Sequence, residues 1–433
     1  MSGNVRERGF WLLDQLRGYP IRMHYFDIAF LTTHPDELEE SSNARLRDLI
    51  RNATTHVPYY RRYDGATSLA EFPVLQKADI RLHYDDFFSE QYERGKLVKV
   101  TTSGSYGTPL TFGLSSDRSA RKTAELIFYS EWAGFHIGTR HANVGSRPKC
   151  ALKAFMQNEV PMLADVIDEE WLESRLRRLR SDRIAVLIGH ASVLGFLAKH
   201  SLHTGHAASE YSLGSAIATA EPLTCDIRAA VQEAFGCRVL SRYAAHELGV
   251  IAHECPHCGQ YHINTPSLKV EFLALNDDRP VSSGELGRVV VTDLFSQAMP
   301  LVRYDTGDLA TLAEPVARAC PFQTPAVARV HGRRVELVYT TAGEPVHPLT
   351  ILDALGEIAD GQAKQFQFVQ ESSRGYSIKV VAFGAFGVAG PLVDRLKGLL
   401  GADADVSVCC VADIPPLASG KRPSIVNNYG RGK

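Results

Sequence analysis

Ile184-Ala185-Val186-Leu187-Ile188-Gly189-His190-Ala191-Ser192 is a run of five apolar residues that stops at a glycine and leads into a second apolar stretch reaching His200. An unbroken apolar run of that length suits a strand buried on both faces, and the stretch after it suits a helix packed back onto that strand. The unit recurs. Ala216 to Thr219 is followed by Ala220-Glu221-Pro222-Leu223-Thr224 and a helical stretch to Phe235, and Cys237-Arg238-Val239-Leu240 supplies a further strand. Strands alternating with helices predict a largely parallel α/β sheet, whose ligands bind at loops beyond the carboxyl ends of the strands.

Working outward, Asp36 to Tyr63 has leucines and isoleucine at helical spacing, with acids early and arginines late, until Pro58 interrupts it. Val57-Pro58-Tyr59-Tyr60 reads as a helix terminus packed on the body. Thr101-Thr102-Ser103-Gly104-Ser105-Tyr106-Gly107-Thr108-Pro109 follows the apolar run Leu97 to Val100. Its glycines and hydroxyls suit a phosphate, though by itself the stretch reads equally as a polar turn between two strands. Ser116-Asp117 is a candidate cap for a helix running to Trp132. Downstream, Lys269 to Leu275 and Arg288 to Leu294 alternate as β runs, which predicts a β-rich subdomain with hairpin turns. Composition shifts again after His331-Gly332-Arg333-Arg334, and β runs flanking a helix-like Leu392 to Leu400 predict a separate small α+β domain.

A chain of 433 residues exceeds one ordinary hydrophobic core, so several domains are expected. The formal net charge of -2 and the lack of a basic, aromatic-interleaved run exclude nucleic acid as the expected partner. The apolar stretch at 184–197 is interrupted by His190 and flanked by Arg183 and Lys199, so no membrane span is expected. The N-terminal apolar stretch is too short for a signal peptide. A cytoplasmic location follows as the expectation, with the eight cysteines as reduced thiols or metal ligands.

Cys255-Pro256-His257-Cys258-Gly259-Gln260-Tyr261-His262 carries the strongest local chemistry. A Cys-Pro-x-Cys-Gly knuckle lets two thiolates chelate one cation, His262 is within reach as a third ligand, and Cys320 is the candidate fourth. Cys3His is a closed set, so a zinc ion there would fasten loops and would not activate water. The alternative is a group of unmetallated thiols. Ser241-Arg242-Tyr243-Ala244-Ala245-His246-Glu247 offers a ring to stack a base and a carboxylate for Mg²⁺, against the plainer reading of a cap and a buried tyrosine. Tyr304-Asp305-Thr306-Gly307-Asp308 presents Asp308 to ribose hydroxyls, or is a tight turn. Ser419-Gly420-Lys421 places one lysine in a glycine-bearing loop near the C-terminus.

In this order, the glycine/hydroxyl loop, Ala-Glu-Pro-Leu, Tyr-x-x-x-Glu, Tyr-Asp-Thr-Gly-Asp, Gly-Arg and Ser-Gly-Lys resemble the adenylate-forming superfamily, in its phenylacetate-CoA ligase and CapK-like branch. The resemblance runs from Val57 to Lys421. It implies a large multi-subdomain adenylation domain over 1–332, with the zinc knuckle at about 253–320, and a small mobile α+β domain over 333–433 hinged near Gly332 to Glu336. It assigns Thr102, Ser103, Gly104 and Gly107 to ATP phosphates and Ala220, Glu221, Pro222 and Tyr243 to the adenine pocket. Asp308 and Arg333 fall to the ribose, Glu247 to Mg²⁺, and Lys421 to the carboxylate and α-phosphate. Trp132, Phe135, His136, Ala244 and Ala245 are candidates for a compact acid pocket, with Arg147 and His246 as contacts to a ring substituent.

The sequence departs from that pattern at three places. Thr108 stands where the family loop often has lysine, Ala244 where glycine is usual, and the hinge reads Gly332-Arg333-Arg334-Val335-Glu336, leaving Glu336 as the hinge acid. The implied activity is ATP-dependent activation of a carboxylic acid, an aryl acid by resemblance, through an acyl-adenylate and then thioester formation with CoA. An alternative passes the acyl group directly to an amine or hydroxyl in a biosynthetic pathway, and a further one is a non-catalytic nucleotide-binding protein. Oligomeric state is open, a homodimer being one option.

Overall fold

The computed structural model describes residues 4–102, 109–145, 150–164, 167–315, 320–346, 348–359, 361–417 and 422–429. The chain divides into two units, one made of residues 1–138 and 242–330 and the other of 139–241 and 331–433.

In the second unit the alternation read from the sequence is present. His141–Gly145 pairs in parallel with Glu159–Leu163 on one side and Val186–His190 on the other, and Val186–His190 pairs in parallel with Ser215–Thr219. Helices Ala151–Gln157, Glu169–Ser181, Ala191–His203 and Cys225–Phe235 lie between or after these strands in the chain. Parallel pairing requires such crossovers, and it explains why Val186, Leu187 and Ile188 are all apolar: both faces of the strand are covered. Leu187, Leu194, Leu197, Ala216 and Val231 meet in one buried cluster.

Residues 338–427 of this unit contain a second, four-stranded sheet in the order Asp405–Cys410, Gly375–Ala382, Ala363–Gln370, Ile425–Asn427. Helices Pro348–Ile358 and Ala389–Leu400 share a separate core with it, through Leu352, Leu355, Phe368, Ile378, Leu392 and Leu396.

The first unit begins with helices Val5–Leu16, Pro20–Thr33 and Pro35–His56. The third ends as its sequence requires: Pro58 forces Val57 out of the helical region, to φ -112° and ψ 114°. Tyr59 and Tyr60 are then buried, with Tyr59 stacked on Phe87 at 4.0 Å and Tyr60 donating to the Pro300 carbonyl at 3.1 Å. Val98–Thr101 and Thr111–Leu114 form an antiparallel hairpin on either side of the glycine loop. The β-rich part is a sheet in the order Leu268–Leu273, Leu286–Asp293, Tyr304–Leu312, Ala326–Arg333, Tyr261–Ile263, Gly249–Glu254, Arg238–Ala245. Among the described residues no helix is long and apolar enough to cross a membrane.

Leu187 is fully buried in the parallel sheet. Leu187→Ala is expected to lower stability by about 2–5 kcal/mol, the usual cost of such a cavity, read as a lower urea midpoint.

Candidate active site

The turn that carries Glu247 joins Arg238–Ala245 to Gly249–Glu254 and is held from beneath by three buried charges. Arg118 stands on helix Ser116–Glu131, whose N-cap is Ser115, one residue before the expected pair, its Oγ accepting the Arg118 N–H at 3.1 Å. The Arg118 guanidinium donates to Asp293 Oδ2 at 2.7 Å, to Glu125 Oε1 at 2.9 Å and to the Leu248 carbonyl. Glu125 Oε2 accepts the Val250 N–H at 3.3 Å, so the network grips the backbone on both sides of Gly249. Gly249 has φ +80°, and a Cβ there would run into Glu125 Oε2. Burial outweighs the adjacent guanidinium and leaves the Asp293 carboxyl above its usual range.

Above this support lie the acid groups of the turn. Glu247 is buried, its Oε1 accepts the Tyr304 hydroxyl at 3.0 Å, and Lys77 Nζ is 3.8 Å from the same oxygen. Lys122 Nζ donates to the His246 carbonyl at 2.5 Å. Four residues back, the Tyr243 hydroxyl donates to Asp308 Oδ2 at 2.7 Å. Asp308 reaches it from a bulge: Arg288 faces Leu309 and Val290 faces Asp305, so the second strand carries extra residues between these pairs. Gly307, at φ +78°, makes the bend, its N–H donating to Asp305 Oδ1 at 2.8 Å. Tyr243 and Asp308 are thus brought together, Glu247 pairs with Tyr304 four residues further along the same strand and turn, and Ala244 and Ala245 are half-buried between Tyr243 and Glu247 in the chain.

Other expected residues are placed as follows. Thr102 closes the base of the glycine loop, its N–H donating to the Leu110 carbonyl at 2.9 Å and its Oγ1 accepting the Leu110 N–H at 3.0 Å. Ser103, Gly104, Gly107, Arg147 and Lys421 lie outside the described residues. In the second unit Ala220 adopts φ +68°, and the Glu221 carboxylate accepts backbone N–H groups from Ser192 at 2.9 Å and Arg422 at 3.1 Å. That carboxylate organises backbone, including the residue that follows Lys421 in the chain. Gly332, at φ +98°, packs against Pro222, and Glu336 Oε2 accepts the Arg333 N–H at 3.0 Å.

Trp132 stacks on Phe322 at 4.0 Å and stands 5.9 Å from the His262 ring. Phe135 is half-buried, and His136 and His246 are exposed.

The sulfurs of Cys255, Cys258 and Cys320 and a ring nitrogen of His262 lie within 4.8 Å of one another. Cys255 and Cys320 sulfurs are 3.7 Å apart, and His262 Nε2 is 3.4 Å from Cys258 and 3.5 Å from Cys320. Tetrahedral zinc with ordinary bond lengths sets sulfurs about 3.8 Å apart and sulfur and nitrogen about 3.5 Å apart, so the quartet fits that ion. His262 Nδ1 lies 3.0 Å from the Thr324 carbonyl, which fixes a tautomer leaving Nε2 to face the thiols.

Sequence reasoning overlooked Arg118, Glu125, Lys77 and Tyr304. Arg118, Arg121 and Glu125 share the spacing of the helix's buried face, and charges on such a stripe are the signal that buried pairing was required. Tyr304 sat within a quoted motif, and Lys77 carried no local signal.

The fold matches that of solved acyl-CoA ligases. Over 427 residues, 94% of this chain and 92% of the relative, the sequence is 22% identical to Protein CapK of Staphylococcus aureus. It is 27% identical to the phenylacetate-coenzyme A ligase of Thermus thermophilus over 307 residues, 65% of this chain and 67% of that one. A 2-hydroxyisobutyryl-CoA ligase in the postadenylation state with R3-HIB-AMP aligns with TM-score 0.75 at 18% identity, covering 93% of this chain and 92% of that one. The same ligase in an open conformation with 2-HIB-AMP and CoA aligns with TM-score 0.62 at 19% identity, over 90% of this chain and 91% of that one. No protein-family model matches.

Arg118→Met strips two buried carboxylates of their shared cation. It is expected to cost about 3–5 kcal/mol in chemical denaturation, the scale for breaking a buried ion pair on one side.

Proposed function

We propose that this protein activates a carboxylic acid with ATP, forming an acyl-adenylate and pyrophosphate, and transfers the acyl group to CoA. The observation that carries the reading is the joint placement of Tyr243 on Asp308 and of Tyr304 on Glu247, along one strand and turn. The resemblance to ligases that hold an acyl-AMP and CoA supports the same order of steps.

In the first step a carboxylate oxygen attacks the α-phosphorus, and the bond to pyrophosphate breaks. Both reactants are anionic, so the barrier is largely electrostatic. Asp308 and Tyr243 hold the nucleoside end. Mg²⁺ held at Glu247 would neutralise phosphate charge. Lys421 supplies an ammonium between the carboxylate and the α-phosphate. In the second step the CoA sulfur attacks the acyl carbon, forming the thioester as AMP leaves. Residues 1–332 act as the adenylation domain and 333–433 as the small domain, which turns about Gly332 to Glu336 between steps. The acid is aryl, the location cytoplasmic, and a zinc ion at Cys255, Cys258, His262 and Cys320 is structural.

ATP–pyrophosphate exchange across a panel of aryl acids is expected to single out a substrate, and Lys421→Ala to reduce exchange by about 100-fold or more. Exchange with no acid would sink the reading. Adding CoA should yield a thioester by mass spectrometry; an amide or ester formed without CoA would replace CoA as acceptor. Elemental analysis of protein purified without added metal should give about one zinc per chain, lost in Cys320→Ser.

A further inference from the structure

The first two helices expose apolar stripes of the kind that amphipathic helices usually bury. In Val5–Leu16 it is the acid Asp14 that is buried, while Val5, Leu12 and Leu16 are exposed. The inward face of Pro20–Thr33 carries Ile28 and Leu31, and its Tyr25 packs on helix Ser116–Glu131, the ring 6.1 Å from Phe128 and the hydroxyl donating to Glu131 at 2.7 Å. Met23, Phe26 and Phe30, three and four residues apart, are exposed. Soluble monomers rarely leave so many large apolar side chains of neighbouring helices to water.

The turn between the two helices is fixed by the buried acid. Asp14 Oδ1 accepts the Ile21 N–H at 3.1 Å, its Oδ2 accepts the Arg22 N–H at 2.9 Å, and its carbonyl accepts the Tyr19 N–H at 2.9 Å. The Arg22 guanidinium lies 5.9 Å from the Trp11 ring on the first helix and 5.7 Å from the Phe26 ring on the second, so the outer faces of the helices adjoin at the turn.

Charge identifies what this surface meets. Between residues 4 and 33 every exposed charged side chain is an arginine, namely Arg8, Arg17 and Arg22, and none of the three has a carboxylate partner among the described residues. The acids are turned inward or engaged: Asp14 holds the turn, Glu7 and Asp27 are half-buried, and Asp27 pairs with Arg45 and Arg121. From the neighbouring helix, Asp117 pairs with His24 at 2.9 Å and Glu131 accepts from Tyr25. The exposed acids Asp36, Glu37, Glu39 and Glu40 open the next helix at the far end of Pro20–Thr33, whose fourteen residues span about 20 Å, more than the screening length in physiological salt. A second copy of the chain would set this surface against itself, arginine facing arginine with no exposed acid on either pair of helices. An anionic lipid surface matches both the apolar stripe and the arginines.

We propose that helices Val5–Leu16 and Pro20–Thr33 dock the protein on an anionic phospholipid surface without spanning it. Leu12, Leu16, Met23 and Phe26 enter the headgroup boundary, and Arg17 and Arg22 meet lipid phosphates. The proposal is independent of the adenylation reading and concerns where the reaction takes place.

The test is cosedimentation of the full chain with vesicles of phosphatidylcholine alone and of an equal mixture of phosphatidylcholine and phosphatidylglycerol, for wild type, Leu16→Gln/Met23→Gln and Arg17→Gln/Arg22→Gln. Wild type is expected to partition onto the mixed vesicles about tenfold or more above phosphatidylcholine alone, with added salt weakening the binding. Each pair of substitutions should lower partition onto the mixed vesicles by about tenfold or more, while thermal melting and pyrophosphate exchange without vesicles stay as in wild type. Failure of wild type to sediment with the mixed vesicles overturns the proposal, and so does undiminished binding by Leu16→Gln/Met23→Gln. A wild-type dimer in analytical ultracentrifugation that Leu16→Gln/Met23→Gln abolishes, with no vesicle binding, assigns the surface to a second copy and overturns it equally.

Discussion

A guanidinium removed from water and shared between two equally buried carboxylates is the constraint on which the first unit depends. Arg118, Glu125 and Asp293 each lie at 0% exposure, and each of the three comes from a different turn of helix or a different strand. Isolated, each charge would be costly in that interior; together, with the Leu248 carbonyl and the Val250 N–H taking the remaining positions, they are satisfied. The network tolerates one arrangement of the 246–250 backbone, and that backbone presents Glu247. Apolar packing of equal volume could fill the space, but it would not dictate where a carbonyl and an N–H must point.

The same logic of backbone held by charge recurs in the second unit. Glu221 takes N–H groups from Ser192 and Arg422, while the Arg422 side chain is buried and donates to the Ile414 carbonyl at 2.6 Å. In both units a carboxylate expected from the sequence to meet ligand sits among backbone donors or paired cations. Polar residues near the site therefore divide into those offered to a ligand and those consumed in holding the frame.

That division marks what the sequence revealed. The parallel strands were legible because burial on both faces leaves an unbroken apolar run, as at Val186 to Ile188. The Cys255, Cys258 and His262 knuckle was legible from spacing, and Cys320 from its isolation among loop residues; the fold then brought all four together. Tyr243, Glu247 and Asp308 were read as motif members, but the pairing of Tyr243 with Asp308 through a bulge at Gly307 is a register event that no one-dimensional pattern records. The destination of Trp132 depended on tertiary packing, since an aromatic on a buried helix face fits a core beside Phe322 as well as a pocket. The approach of Lys77 to Glu247 became visible only when Leu75 was seen alongside Tyr304.

Cys255 and Cys320 are 65 positions apart, and the chain between them contains Asp293, Arg303, Tyr304 and Asp308. A cation shared by the quartet would close that span into a ring, and closing a ring of this length removes about 4 kcal/mol of freedom from the unfolded chain, on the loop-entropy scale used for disulfides. The ion would then act as a thermodynamic tether on the strands that carry Asp293, Tyr304 and Asp308 while touching none of those side chains. With such an ion bound, oxidising a single thiol of the quartet would cut the tether and would tie the persistence of these strands to the redox state of their surroundings.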